Sequence, residues 1–310
     1  MAEQNNSAYW KRQYRLVFPD IDLEYNNTDN PESESIKISF DVDRDLSQET
    51  NKLKIKLWNL TEESRAKIEK EDLKIELYAG YKENGGAKKL FSGSVIRAVS
   101  LDEGKDVTTE LQASDGQVPV RDTILSLSYA PNTSSEIIVK AISDGMGLPL
   151  VVGEGVEFVA YENGYSFIGK GADALDEICQ GQGLDWSIQN SVLQVILAGG
   201  TAKKSGLVFS ASTGLLGSPA RIVKARPKED QETAKRKAKQ DQKKEKPEKK
   251  AGWKIETLLA PTVNPGDAVK VESRVIEGWF RVETIKHHGE VYGGDYRTQM
   301  DLVEGLEDES

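Results

Sequence analysis

The sequence predicts a mainly β chain with an α+β insert: two antiparallel β-barrel domains flanking a small α/β module. Three observations lead there. Apolar and charged residues alternate with period two in the first and last thirds, the middle third switches to helical spacing, and Gly-rich turns punctuate both β regions. The expected boundaries are 1–117 for the first barrel, 118–203 for the module and 204–310 for the second barrel, which carries a charged flexible insertion at about 226–251.

In the first third, Arg12–Phe18 reads as a strand, and Glu24–Ser35 as a polar loop rich in turn formers. Alternation resumes over Ile36–Val42 and is clearest further on. Leu53, Ile55 and Leu57 face one way while Lys52, Lys54 and Lys56 face the other, and Leu73, Ile75 and Leu77 repeat this against Asp72, Lys74 and Glu76. Between these strands either Asn59 or Thr61 caps a short helix whose first turn carries Glu62 and Glu63, where backbone N–H groups favour negative charge. Asn84-Gly85-Gly86 marks a hairpin tip, strands near 90–99 and 106–114 complete about six, and a hinge is expected at Ser114–Gln117.

In the middle third, Ile137, Ile138, Ala141 and Ile142 form a helical stripe, with Ser134 or Ser135 as cap and Gly145 or Gly147 as terminator. Short strands are expected at Leu150–Val152 and Tyr165–Ile168. A second helix over about Ala172–Gln180 buries Ala174, Leu175, Ile178 and Cys179 and stops at Gly181 and Gly183. Leu184–Gln189 and Val192–Leu197 then form a hairpin around Asn190-Ser191.

The last third returns to strands at Leu207–Ser210, Ala220–Ala225, Trp253–Leu258, Ala268–Ser273, Gly278–His287 and Thr298–Val303. Val263-Asn264-Pro265-Gly266-Asp267 is a tight turn in which Pro265 presets φ and Gly266 takes the positive-φ position. Val269, Val271, Phe280, Val282 and Ile285 supply a core face, Gly289–Tyr296 is a hairpin turn, and Leu302–Ser310 is an acidic, frayed tail.

Composition excludes several function classes. Within 310 residues there is no apolar run of about 18, so no spanning helix is expected, and the N-terminus lacks the apolar core of a secretory signal, which points to synthesis in a cytoplasm. One cysteine excludes an internal disulfide and a multi-cysteine metal site; two histidines argue against a His-rich one. Residues 224–250 hold 12 Lys and Arg against 6 Asp and Glu, which leaves −16 for the remainder of a chain whose net charge is −10. An acidic body is unsuited to gripping phosphates, so no specific nucleic-acid binding is expected. The basic segment has too few apolar residues to offset the entropy of ordering. It reads as a solvated loop between two strands or as an arm for acidic neighbours or passing DNA.

No constellation of catalytic residues emerges. Gly169-Lys170-Gly171-Ala172-Asp173-Ala174 fits G-x-G-x-x-A between a strand and a helix, the setting of a dinucleotide fingerprint. The helix is short, however, and a hairpin rather than a parallel sheet follows it. His287 and His288 are adjacent in a strand, so their side chains point to opposite faces, and Cys179 lies on an apolar stripe where an inert thiol is the default. The chain is therefore expected not to be an enzyme, with no catalytic, cofactor-binding or metal residue and no cofactor.

One further pattern concerns order and wording together. Trp58-Asn59-Leu60-Thr61, a short helix with Arg65 and Ile68, a strand ending Tyr78-Ala79-Gly80-Tyr81, a variable turn and Leu90–Ile96 (LFSGSVI) follow one another. Phe209–Pro219 (FSASTGLLGSP) and Val263–Asp267 (VNPGD) come later. The whole resembles the tail-tube-like, double-barrel baseplate hub proteins of phages with Mu-type contractile tails. The resemblance implies two tail-tube-like barrels per subunit and a homotrimer whose six barrels form a pseudo-six-fold ring. Such a ring joins the hexameric tail tube to a trimeric central spike and lets DNA pass. The implied partners are further copies of the chain, the tail tube protein, the central spike protein, and possible contacts to the tape-measure protein and other baseplate proteins, in the virion tail. Two alternatives stay open: the hub of a tailocin or secretion-type injection apparatus, and, from another class, an enzyme with a nucleotide site at the GKGADA turn.

Overall fold

The computed structural model describes residues 11–28, 35–46, 50–69, 72–116, 123–201, 203–222 and 252–304. The basic insertion at 226–251, the end of the hinge at Gln117, the strand end beyond Ile222 and the acidic tail beyond Glu304 lie outside them. The fold is mainly β with a helical insert, as the sequence predicts.

The first β region comprises β1 (Arg12–Phe18), β2 (Leu23–Asn26), β3 (Ile38–Asp45), β4 (Lys52–Trp58), α1 (Glu62–Ile68), β5 (Lys74–Tyr81), β6 (Gly86–Asp102) and β7 (Val107–Ser114). Its strands hydrogen-bond in the order β2-β1-β5-β6-β7-β4-β3. The 17-residue β6 serves two partners, pairing with β5 through Ser94 and with β7 from Ser94 onward. The corner demands a residue without a side chain: a Cβ on Gly93 would stand 2.4 Å from the Ser114 carbonyl oxygen. Alternation closes the core, with Leu16, Phe40, Leu53, Ile55, Leu57, Ile75, Leu77 and Phe91 buried. Each such side chain contributes about 1.5–3 kcal/mol of transfer free energy.

The polar loop set at Glu24 instead begins with a strand, because the left-handed Asp22 turns the chain back and Leu23 and Tyr25 alternate against β1. Of the two cap candidates, Thr61 caps α1, accepting from the Ser64 N–H. Asn59 takes a left-handed conformation and ties the chain to Asp106 and the Val107 N–H.

The insert contains β8 (Ile124–Tyr129), β9 (Thr133–Ser134), α2 (Ser135–Met146), β10 (Leu150–Val152), β11 (Ala160–Tyr161), β12 (Tyr165–Lys170), α3 (Gly171–Gly181), β13 (Leu184–Gln189) and β14 (Val192–Leu197). Strand β8 pairs antiparallel with β12, and β10 lies parallel to β14 beside β13. Ser134 caps α2 and the left-handed Gly147 ends it, while Gly145 stays within the helix, close to Leu125. The buried stripe of α2 is Ile138, Val139, Ile142 and Met146; Ile137, expected on that stripe, is 56% exposed because it lies one residue off the phase. On α3 the expected set Ala174, Leu175, Ile178 and Cys179 is buried. Asn190 and Ser191 both take positive φ, the twist a two-residue hairpin requires.

The second β region comprises β15 (Lys203–Ser210), β16 (Leu215–Ile222), β17 (Gly252–Leu258), β18 (Asp267–Glu272), β19 (Glu277–Glu290) and β20 (Tyr296–Val303). Strand β16 starts at Leu215, ahead of the expected Ala220, and carries a register shift between Leu216 and Ala220. In the Asn264–Asp267 turn Gly266 has φ +89° and the Asp267 N–H donates to the Asn264 carbonyl. A separate core gathers Phe209, Ile255, Val269, Val271, Val282, Ile285, Met300 and Leu302.

The two β regions share one sheet. Strand β19 pairs antiparallel with β3 from Thr284↔Asp45 to Glu290↔Ser39, which makes a thirteen-stranded sheet of the described strands, with β15 and β18 the parallel pair in it. Among the described residues no helix is long and apolar enough to cross a membrane.

Candidate functional site

The seam between β3 and β19 is where all three parts of the chain meet, and its two faces differ. On the outer face, alternation exposes Asp41 and Asp43 on β3, Lys52 and Lys54 on β4 and Lys286 on β19, with His288 on β19 and Arg297 and Gln299 on β20 half-buried beside them. The registers set basic side chains opposite acidic ones: Asp43 against Lys52 and Lys286, Asp41 against Lys54, with His288 beside Asp41. His288 Nδ1 lies 2.6 Å from Asp41, and Lys286 Nζ lies 3.2 Å from Asp43. These residues line a groove of about 450 Å³. Its rows of charge compensate one another.

The inner face of the seam is a buried polar joint. Arg44 follows Phe40 and Val42 in phase, so its guanidinium turns inward and is 2% exposed. It donates to Gln189 Oε1 on the insert at 3.1 Å and to Asn264 Oδ1 in the second β region at 2.7 Å. Asn51 donates to the Ile188 carbonyl at 2.8 Å, and Gln189 Nε2 returns a bond to the Asp45 carbonyl at 2.7 Å. Asp115 accepts from the Ser191 N–H at 2.9 Å. Burial draws Arg44 down to about 10, opposed by the charges of Asp115 and Asp267. Burial pushes the Asp115 carboxyl up, opposed by the Ser191 N–H and by Arg44.

A second lock joins the two β regions above the seam. Tyr296 Oη donates to the Gln13 carbonyl at 2.8 Å and accepts from the Gly80 N–H at 3.0 Å. Tyr81 Oη donates to the Tyr296 carbonyl at 3.2 Å and accepts from the Leu259 N–H at 3.2 Å. Arg12 reaches over the Tyr296 ring to the carbonyls of Glu290, Gly293 and Gly294. The Tyr78-Ala79-Gly80-Tyr81 motif and the Gly289–Tyr296 hairpin are therefore two halves of one contact.

The chemical candidates stay apart. His287 points inward, its Nδ1 2.8 Å from Thr298 Oγ1, and is held well below the usual imidazole range by burial and by the Arg44 charge. His288 points outward, so the two rings share no ligand. Cys179 is buried and its thiol is pushed up to about 12, mainly by burial. Among the described residues no group of three or more His, Cys, Asp and Glu is placed to hold a metal ion. The GKGADA segment runs from the end of β12, whose partner β8 is antiparallel, into the first turn of α3, and the Gly171 N–H donates to the Thr123 carbonyl at 3.0 Å. Gly171 itself packs against Met146 and Leu125. The motif thus lacks the parallel β-α-β setting of a dinucleotide fingerprint, and its first helical N–H is satisfied by protein.

No protein-family model and no curated protein sequence matches the chain. Solved structures do. The 43 kDa tail protein of prophage MuSo2 from Shewanella oneidensis aligns at TM-score 0.61 and 11% identity over 94% of this chain and 98% of that one. A tail protein from Neisseria meningitidis MC58 aligns at TM-score 0.58 and 11% identity, over 95% and 97%. A type VI secretion component of E. coli, described as structurally similar to the T4 bacteriophage tail proteins gp27 and gp5, aligns at TM-score 0.55 and 12% identity, over 88% and 74%. The resemblance read from the sequence therefore holds at the level of the fold: the chain shares its fold with phage tail proteins and with a type VI secretion component.

Proposed function

We propose that the chain is a structural baseplate hub of a phage tail, a homotrimer whose six β units form a pseudo-six-fold ring between the hexameric tail tube and a trimeric central spike. The reading takes 1–117, 118–203 and 204–310 as its three domains. The observation that carries it is the β3–β19 seam: two β units fused edge to edge present, within one chain, the side-by-side pair that three copies would repeat into six. The buried joint at Arg44 and the lock at Tyr296 fix the angle between the units, which a ring of defined diameter requires. The compensated charges of the outer face give little net positive field, so a polyanion could pass without being held. The work of the protein is geometric and makes or breaks no bond.

A second reading, the hub of a tailocin or secretion-type injection apparatus, is favoured by the likeness to the E. coli secretion component. The experiment common to both is solution mass, alone and with the cognate tube and spike proteins. A trimer in either setting supports a hub, and a monomer in both sinks it. Genome packaging in the purified particle separates phage from the other two uses.

A further inference from the structure

Strand β10 is an open edge. It lies parallel to β14, has no second strand beside it, and ends the order β10-β14-β13. The opposite margin, β13, is covered by the first β region, where Asn51 donates to the Ile188 carbonyl. Along β10 the Pro149 carbonyl accepts from the Leu193 N–H and the Gly153 N–H donates to the Val195 carbonyl, both at 2.8 Å. A strand residue points its N–H and C=O the same way and its neighbours point theirs the other way, so Val151 serves β14 while Leu150 and Val152 turn their backbone groups outward. Pro149 lacks its N–H on the β14 side and removes no donor from the open edge. Val151 and Val152 are 48% and 39% exposed.

Elsewhere the ends of the large sheet are protected. Strand β16, at one end, carries Pro219, Arg221 and the register shift between Leu216 and Ala220. Strand β2, at the other, carries Glu24 paired with Arg15. Strand β10 holds no charge, no proline and no bulge, and its length of three residues is its one safeguard. We propose that this edge docks an extended segment of another protein, taken up as a further strand, in which Lys or Arg flanks alternating apolar residues. The ladder supplies backbone bonds, and Val151 and Val152 supply apolar contact, one on each face. Charge selects the partner: residues 123–201 hold nine Asp and Glu against two Lys, and Glu154 and Glu157 stand exposed just beyond the edge. So short a ladder needs that attraction. The inference is independent of the hub reading, because it rests on the insert alone.

The test is amide hydrogen exchange of the full chain with the probe acetyl-Lys-Thr-Val-Thr-Val-Lys-amide and with its counterpart carrying Glu in place of Lys. Without a probe, Leu150 and Val152 are expected to exchange fast and Val151 to be protected. With the Lys probe at about ten times its Kd, exchange at Leu150 and Val152 should slow about tenfold, and the Glu probe should leave it unchanged. Val152→Pro removes an outward N–H while keeping the bonds to β14, and is expected to abolish the slowing. Should that variant not fold, Val151→Lys, at an exposed position, is expected to weaken binding by repelling the Lys probe. Protection of Leu150 and Val152 without a probe, no slowing at about 1 mM of the Lys probe, or equal slowing by both probes overturns the proposal. Protection that grows with the concentration of the chain alone assigns the edge to a second copy and overturns it as well.

Discussion

Tyr81 and Tyr296 pack edge to face, with ring centroids 5.3 Å apart, and each hydroxyl bonds the other residue's surroundings: Tyr81 Oη to the Tyr296 carbonyl, Tyr296 Oη to the Gly80 N–H. The motif that marks the first β region in the sequence is thus spent on holding the second. Removing either hydroxyl takes a bond from buried backbone groups, although without Tyr81 Oη the Leu259 N–H still donates to the Tyr296 carbonyl. Tyr81→Phe and Tyr296→Phe are each expected to cost about 0.5–1.5 kcal/mol in urea denaturation, Tyr81→Phe the less. The double variant is expected to lose less than the two together, because they serve one lock. Strict additivity would contradict it.

Arg44→Met is expected to destabilise by about 3–5 kcal/mol, since it strands Asn264 Oδ1 and takes from the buried Asp115 the positive charge that opposes its desolvation. Arg44→Lys keeps the charge but not the fork that reaches Gln189 and Asn264 together, so it should recover only part of the loss. Thermal unfolding of the three proteins checks the order.

A Cβ on Gly289 would lie 2.1 Å from the ring of Phe40, its cross-strand partner in the seam. Gly289→Ala is expected to cost about 1–3 kcal/mol by overpacking. Phe40→Leu in the same chain should return part of that, although Phe40→Leu alone is destabilising. Failure of the pair to recover any stability would show that the seam does not close on this ring.

His287 is kept neutral by burial and by Arg44, so its pKa in the folded chain is depressed. The unfolded chain takes up the proton first as pH falls below about 6.5, and stability falls with it. Between pH 6.5 and 5.5 the loss should be about 1 kcal/mol from this group. In His287→Gln that part of the slope should vanish; an identical slope in both proteins would contradict the assignment.

Much of this was legible because alternation and helical phase are written directly in side-chain type. Leu53, Ile55 and Leu57, the α3 stripe, the Asn190-Ser191 hairpin and the Gly266 turn all follow from local chemistry. Strand β8 escaped because serines fill its outward positions and Ile124, 74% exposed, breaks the expected pattern, although Leu125, Leu127 and Tyr129 keep phase inward. The joint was harder to see, since Arg44 and Gln189 look like surface residues. Their signal is phase: Arg44 continues the inward series of Phe40 and Val42, and His287 that of Ile285. The β3–β19 pairing had no local mark at all. Its complementary rows, Asp41 and Asp43 against Lys286 and His288, acquire meaning only once the register joins residues some 240 positions apart.

Three chains, each with two fused β units, are expected to build one ring. Image averaging of the purified particle, or of the chain reconstituted with its tube protein, tests it most directly. Three copies at the end of the tube, with six β units around one axis, are expected. Six copies, or none at that position, would be incompatible with a trimeric hub.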